Sequence, residues 1–400
     1  MKQRFLMVTT FYPPYGFGGD ALYVSRLSQE LVARGHHVEV VHCADSFRML
    51  SRRASPLPAP PLNGVRVHTL RNRWGPLGPL AIQQTGRPWL SSPELGRILA
   101  EPFDTIHFHN ISLIGGPGIL RMGKGLKLYT LHEHWLLCPT HVLFKFNQAP
   151  CREKQCFQCQ LRARRPPQWW RWSGFLKSCL KEVDGFLSPS RFTLERHAQE
   201  FDLPLHHLPS FALPSQVSPS SAPLRPYFLF VGRLEKIKGL HTILEAFRRN
   251  PEFDLKVAGE GNYGDFLRNL ARDCPNIHFL GWVKGNELDR LYASALALVV
   301  PSIALETLGQ VILESFAAAT PVIARRLGPL PELVEESEAG FLFEDDASLE
   351  ACLRRLAGDG PLRLALKEKA LKAWQERWNP DIHVQRYLDL NEQLTASKPG

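Results

Sequence analysis

No run of about 18 apolar residues occurs in this 400-residue chain, so nothing in the sequence reads as a bilayer-spanning helix. The longest candidate, residues 295–303, is short and interrupted by Pro301 and Ser302. Lys2 and Arg4 precede only the apolar residues 5–8, too few for the core of a secretory signal, and the chain is expected to act in the cytoplasm. A solenoid repeat and a long low-complexity tract are also missing. In the GFGGD turn the Gly-x-Gly-x-x-Gly of dinucleotide binding is absent, which argues against a dehydrogenase. So is an Asp-x-Asp pair after a strand, so no catalytic metal is expected. The adjacent Asp345-Asp346 reads as the start of a helix. With 44% hydrophobic and 22% charged residues, the composition excludes a disordered chain.

What is present points to two domains, since a single core stops growing near about 250–300 residues. The net charge of +9 is uneven: residues 1–215 hold 26 Lys and Arg against 14 Asp and Glu, and residues 216–400 hold 22 against 25. The first half therefore faces something anionic, whether nucleic acid, acidic lipid or a phosphorylated substrate. Apolar β-rich runs at 5–10, 37–42, 65–70, 105–109, 127–131 and 185–188 alternate with helical patterns or loops. Residues 48–63 and 72–93, rich in Pro, Arg, Ser and Gly, read as long loops. Six prolines punctuate 204–226 as an extended linker. The alternation then restarts with strands at 227–231, 253–258, 277–280, 297–300, 321–324 and 340–343. The expected fold is α/β: two doubly wound, Rossmann-like domains facing a cleft. The expected bounds are 1–210 and 227–375, a linker at 211–226, and a C-terminal crossover helix and tail at 376–400 that packs back on the first domain.

Two segments carry the chemistry. In PSIALETLGQVILE, Glu306 follows a buried strand at its carboxyl end, where open α/β sheets bind ligands. Thr307, Leu308 and Gly309 open the next helix, and their backbone N–H groups suit an anion. Glu314 lies inside that helix among small and apolar neighbours, where a carboxylate needs donors, and a ribose diol supplies two. In FLFVGRLEKIKG, a strand ends at Gly232, and Arg233 and Lys238 follow as a planar fork and a point charge suited to a diphosphate.

These segments, together with PPYGFGGDALYVSRLSQELVARGHHVEVV, TLHEHWLLCP, LSPSRF, AGEG, GPLPELV and GFLF, resemble the retaining, nucleotide-sugar-dependent glycosyltransferases of family 4 almost end to end. The resemblance implies the two-domain GT-B fold. It implies a donor that is a UDP-, GDP- or ADP-sugar, and a glycan or lipid-linked acceptor of polysaccharide or glycolipid synthesis. It also implies a hexosyltransferase-type reaction with no cofactor needed for catalysis. By it, Arg233 and Lys238 hold the diphosphate, Glu306 contacts the transferred sugar, Glu314 the ribose, and the amides of Leu308 and Gly309 sugar or phosphate. Gly18 and Gly19 approach the phosphates, the backbone at Trp282 and Val283 lines the base, and His132 faces the donor sugar. His109 has no such support. The chain departs from the family at Glu133, where relatives carry Asp, and at Ser210, where they carry Asn.

Two features stand apart. Cys138, Cys151, Cys156 and Cys159 have spacing suited to a structural zinc, set against reduced thiols in a loop. Residues 161–172 put Arg162, Arg164, Arg165 and Arg171 beside Trp169, Trp170 and Trp172. That mixture suits a peripheral anchor at an anionic inner membrane face, or the wall of an acceptor groove, or packing against the first domain. The competing functions are a sugar-nucleotide epimerase of the same fold and a non-enzymatic basic protein binding membrane or nucleic acid. The phosphate-binding segment argues against the last, and no nucleic acid is expected.

Overall fold

The computed structural model describes residues 2–51, 64–72, 74–88, 93–217 and 225–398. Parts of the expected loops (52–63, 73, 89–92) and of the linker (218–224) lie outside them. The chain forms two compact units. One comprises Met1–His141, Gln155–Pro209 and Val384–Gly400, the other Val142–Lys154 and Ser210–His383, so the chain passes between them four times.

In the first unit the strands β1 (Arg4–Val8), β2 (His37–Cys43), β3 (Arg66–Leu70), β4 (Thr105–Phe108) and β5 (Leu126–Thr130) come first. A small antiparallel hairpin, β6 (Phe144–Lys145) and β7 (Ala149–Pro150), belongs with the second unit. Then β8 (Gly185–Ser188) and β9 (Leu205–His207) complete a seven-stranded parallel sheet in the order β3-β2-β1-β4-β5-β8-β9. Alternation along β4 sets its two faces: Ile106 and Phe108 enter the main core, while Thr105 and His107 point the other way. That other face is covered by the C-terminal helix Pro380–Ser397, through Tyr387 on His107 and Asn391 on Thr105. The C-terminal segment thus packs on the first sheet, as expected.

The second unit repeats the plan with β10 (Tyr227–Val231), β11 (Asp254–Ala258), β12 (Ile277–Gly281), β13 (Leu298–Val300), β14 (Val322–Arg325) and β15 (Gly340–Phe343). Their order is β12-β11-β10-β13-β14-β15, all parallel. Tyr227 and Leu229 enter one core and Phe228 and Phe230 the other, so both faces of the sheet are buried. Asp345 caps the helix Asp346–Gly358 in a reciprocal capping box with Ser348, which makes the Asp pair a helix start.

Three local expectations differ. Residues 77–85, taken for loop, form the helix Leu77–Thr85. Its Pro79 falls in the first turn, where no N–H is needed, and Gly86 ends it at φ 68°. Residues 44–50 and 93–100 are likewise helical, as Ala44–Leu50 and Pro93–Ala100. Leu205–His207, read as the beginning of the linker, pairs with β8 as the edge strand. No described helix is long and apolar enough to cross a membrane.

Candidate active site

In the second sheet β10 has β11 on one side and β13 on the other, so the winding reverses there, and ligands bind such sheets at the carboxyl ends beside that reversal. The loops after β10 and β13 carry most of the residues singled out above. After β10 the backbone turns through Gly232 and Arg233 into a short 3₁₀ turn, Lys236–Lys238, closed by Gly239 at φ 73°. A Cβ on Gly239 would lie 1.9 Å from the Pro301 carbonyl oxygen. Only glycine lets this turn sit on the start of the loop after β13, where the Ile303 N–H also donates to the Ile237 carbonyl at 2.9 Å. The AGEG segment backs the same loop: a Cβ on Gly259 would lie 1.9 Å from the Gly232 carbonyl oxygen.

That packing joins two groups 68 positions apart. Lys238 Nζ donates to Glu306 Oε1 at 2.7 Å, and Ser302 Oγ donates to the same oxygen at 2.7 Å. Burial pushes the Glu306 carboxyl up, but Lys238, Ser302 and Arg233 outweigh it and hold the group below its ordinary 4.5. Glu306 is therefore ionised at neutral pH beside an ammonium. Arg233 reaches outward, with Nη1 2.7 Å from Glu235 Oε1.

The helix Gln310–Ala317 begins at Gly309, φ 110°, with no side chain capping it, and Leu308 is buried beneath. Glu314 lies on this helix, where Tyr292 Oη donates to Oε2 at 3.4 Å. Val283 follows the edge strand β12, two strands from β10, next to an exposed Trp282. Ser210 donates to Gln310 Oε1 at 2.9 Å, and Gln310 donates to the Phe211 carbonyl at 2.7 Å. The departure at Ser210 is thus tied into the helix that starts at Gly309.

In the first unit the sheet reverses between β1 and β4. Gly18 and Gly19 follow β1 and open the helix Gly19–Ala33 without a side-chain cap. Gly18 is extended, and a Cβ there would meet only the Asp20 carboxylate, at 3.6 Å, so nothing in this unit demands glycine at that position. His132 follows β5. Its Nε2 lies 3.0 Å from His109 Nδ1, and the Tyr23 ring packs edge-on against it. Asn110 Nδ2 donates to Asp20 Oδ2 at 3.4 Å. Glu133 accepts from His141 Nδ1 at 2.7 Å.

Sequence reasoning missed Ser302, Tyr292 and His109. The signal for His109 was alternation: His107 and His109 interrupt an apolar strand on one face only.

The structure does not gather the four cysteines into a metal centre. Among the described residues no three His, Cys, Asp or Glu side chains group to hold a metal ion. Cys138 is buried with its Sγ 3.2 Å from Thr140 Oγ1, and Cys151 Sγ lies 3.5 Å from the Glu153 carbonyl oxygen. Cys156 and Cys159 sit on the seven-residue helix Cys156–Arg162. Cys151 belongs to the second unit and the other three to the first.

The arginine–tryptophan segment divides its roles. Trp170 is buried, with Nε1 donating to the Gln83 carbonyl at 2.9 Å. Arg171 donates to the carbonyls of Trp135 and Leu136 at 2.7 and 3.2 Å, beneath the rings of Trp135 and Trp170. Those two residues pack the first unit. Trp169 and Trp172 point outward, 64% and 53% exposed, beside exposed Phe157 and Leu161.

Residues 17–210 match the family model described as Glycosyltransferase Family 4, and residues 218–373 that described as Glycosyl transferases group 1. The chain is similar to the sulfoquinovosyl transferase SQD2 of Arabidopsis thaliana, at 34% identity over 34% of this chain and 26% of that protein. It is also similar to the lipopolysaccharide core biosynthesis glycosyltransferase LpsE of Rhizobium meliloti, at 31% identity over 44% and 51%. The alignments thus span only about a quarter to a half of these relatives' length. Among solved structures, sucrose-phosphate synthase from Thermosynechococcus elongatus superposes with a TM-score of 0.72 over 99% of this chain and 100% of that one, at 20% identity. Anabaena HepE in complex with UDP gives 0.67 over 98% and 100%, at 18% identity. These likenesses show the fold.

Proposed function

Because the chain belongs to the GT-B glycosyltransferases, with a family 4 half followed by a group 1 half, we propose that it transfers a sugar from a nucleoside-diphosphate donor to a glycan or lipid-linked acceptor with retention at the anomeric carbon. The observation that carries the reading is the Lys238–Glu306 contact at the reversal point of the second sheet. It sets a cation suited to a leaving diphosphate beside a carboxylate suited to sugar hydroxyls. HepE was solved with UDP and with UDP-glucose, and starch synthase IV of Arabidopsis thaliana with ADP, so uridine and adenine donors lead the panel to test.

In this mechanism, breaking the C–O bond builds positive charge at the anomeric carbon and negative charge on the diphosphate. Lys238, Arg233 and the uncapped amides at Leu308 and Gly309 stabilise the second. Glu306 orients the sugar, Glu314 binds the ribose, and the backbone at Val283 lines the base. A leaving phosphate oxygen takes the acceptor's proton on the face of attack, so no separate protein base is required. Gly18, Gly19 and His132 are the first unit's contributions. The absence of any requirement of that unit for glycine at Gly18 supports a close approach of backbone to ligand.

The test is release of nucleoside diphosphate by purified protein given nucleotide sugars with a membrane extract as acceptor. Transfer dependent on the extract supports the reading. Interconversion of the free nucleotide sugar without acceptor would favour an epimerase instead. Replacing Glu314 by alanine removes a charge-assisted contact to the ribose, and nucleotide Kd is expected to rise about 10- to 100-fold. Turnover at saturating donor should change far less. An unchanged Kd by calorimetry would contradict the ribose assignment.

The acceptor side is proposed to meet an anionic membrane through Trp169, Trp172, Phe157 and Leu161, beside exposed Arg162, Arg164 and Arg165. Replacing Trp169 and Trp172 together by serine is expected to reduce co-sedimentation with vesicles containing phosphatidylglycerol about tenfold or more. Because neither ring is buried, melting temperature should hold. Equal binding by the double variant would remove this surface from consideration.

A further inference from the structure

On the face of the first sheet turned away from its main core, a row of polar contacts runs toward the carboxyl ends of β4 and β5. Asn391 Nδ2 donates to Thr105 Oγ1 at 2.7 Å. His107 lies 3.1 Å from Tyr387 Oη and 2.7 Å from Thr130 Oγ1. The row ends with His109 Nδ1 at 3.0 Å from His132 Nε2. His109 is 1% exposed, with the His107 ring tilted against its own at 4.0 Å between centroids.

Both rings of the last pair are neutral at pH 7. Burial, helped by the neighbouring histidines, holds His109 well below its ordinary value. Burial also lowers His132, with Asp20 opposing it only in part. Two neutral imidazoles in contact need one N–H donor and one lone pair, so their tautomers are linked.

The far nitrogen of His109 decides which ring donates. His109 Nε2 is buried and meets no hydrogen-bond partner among the described residues. A proton there would leave a buried N–H unpaired, whereas a proton on Nδ1 leaves only a lone pair, the less costly orphan. The same choice can be read directly at His197. Its Nδ1 lies 2.7 Å from the Thr193 carbonyl oxygen, which can only accept, and its Nε2 is likewise buried without a partner. By this rule His109 donates from Nδ1, and His132 accepts at Nε2 and carries its own proton on Nδ1.

We infer that His109 is a positioning residue for His132, holding that ring in the Nδ1–H form. His132 then acts as a neutral hydrogen-bond donor from Nδ1 toward a sugar or phosphate oxygen, and not as a base at Nε2. This rests on the proposed role of His132 in sugar transfer, but the tautomer belongs to the protein alone and can be read without substrate.

The experiment uses the full chain with ¹⁵N-labelled histidine, the His132 signals being assigned by loss in His132→Gln. At pH 7 the expected spectrum shows His132 Nδ1 protonated and Nε2 bare. In His109→Phe the donor is gone, and His132 should shift toward the Nε2–H form. In His109→Asn the side-chain amide can replace Nδ1–H, and the original pattern should hold. In transfer assays His109→Phe is expected to lower kcat about tenfold with donor KM unchanged, and His109→Asn to recover most of it. A His132 ring already protonated at Nε2 in the unaltered protein overturns the inference, and so does a His109→Phe spectrum identical to the original. Should His109→Phe fail to fold, the unaltered protein and His109→Asn still decide it. If no nucleotide sugar is turned over by any form, the functional reading fails while the spectra still settle the tautomer.

Discussion

Lys238→Ala is expected to lower turnover by about 10²- to 10³-fold, the usual loss when a preorganised group aimed at developing charge is removed. The fold should survive, since Lys238 Nζ is partly exposed and touches no core residue through its charge. Its loss leaves Glu306 with Ser302 and the more distant Arg233, so burial is less well opposed and the carboxyl moves up toward its ordinary value. The variant should therefore lose activity in two ways, by weaker stabilisation of the departing diphosphate and by partial protonation of Glu306 on the acid side. The pH profile of the residual activity would show it, with an acid limb shifted to higher pH. Near-normal turnover at pH 7.5 would remove Lys238 from the mechanism.

The second large effect concerns stability. Burial lowers His42 and His197 to about 4 each, and it also lowers His109 and His132; all four lie in the first unit. In the second unit His241 shifts the same way, through burial and then Lys236 and Arg325. An unfolded chain binds protons at these rings as pH falls through about 6.5, whereas the folded first unit resists it, down to about 4 at His42, His132 and His197. Stability is thus complete above that range and lost as pH falls through it. His42 and His197, both buried, each cost on the order of 2 kcal/mol by pH 4.5, a large share of the about 5–15 kcal/mol that holds a typical domain, and His109 and His132 act in the same direction. Calorimetry is expected to resolve two transitions, with that of the first unit falling steeply between pH 6.5 and 4.5. His42→Gln and His197→Gln should each flatten that slope. Two transitions that move in parallel with pH would contradict this account.

The strands were legible because buried parallel strands are short apolar runs ended by glycine or a polar turn, as in FLFVG and ALALVVPS. The loop after β10 was legible for a related reason, since Gly232 and Gly239 announce close approach. What they approach was not, because Gly239 abuts Pro301 and Gly259 abuts Gly232, which depends on strand order. The pairing of Lys238 with Glu306 follows from that order too. His109 looked solitary in sequence because its partner His132 follows the neighbouring strand β5. The cysteine cluster shows the converse: the four thiols are near one another in sequence, but Cys151 falls with residues 142–154 in the second unit and the other three in the first.

The four crossings of the chain bear on how such an enzyme can be recombined. A cut at residue 210 separates neither unit whole. The upstream piece keeps the hairpin β6–β7, whose Asn147 carbonyl accepts from Lys236 Nζ at 3.0 Å in the turn after β10. It loses residues 384–400, which cover His107 and Thr105. A chimaera made at the proline-rich junction would inherit a foreign hairpin on its second unit and a foreign lid over its histidine row. Exchanging the second unit between chains of this design therefore calls for two segments, 142–154 and 210–383, grafted together, and a single crossover in the gene would yield a mismatched protein.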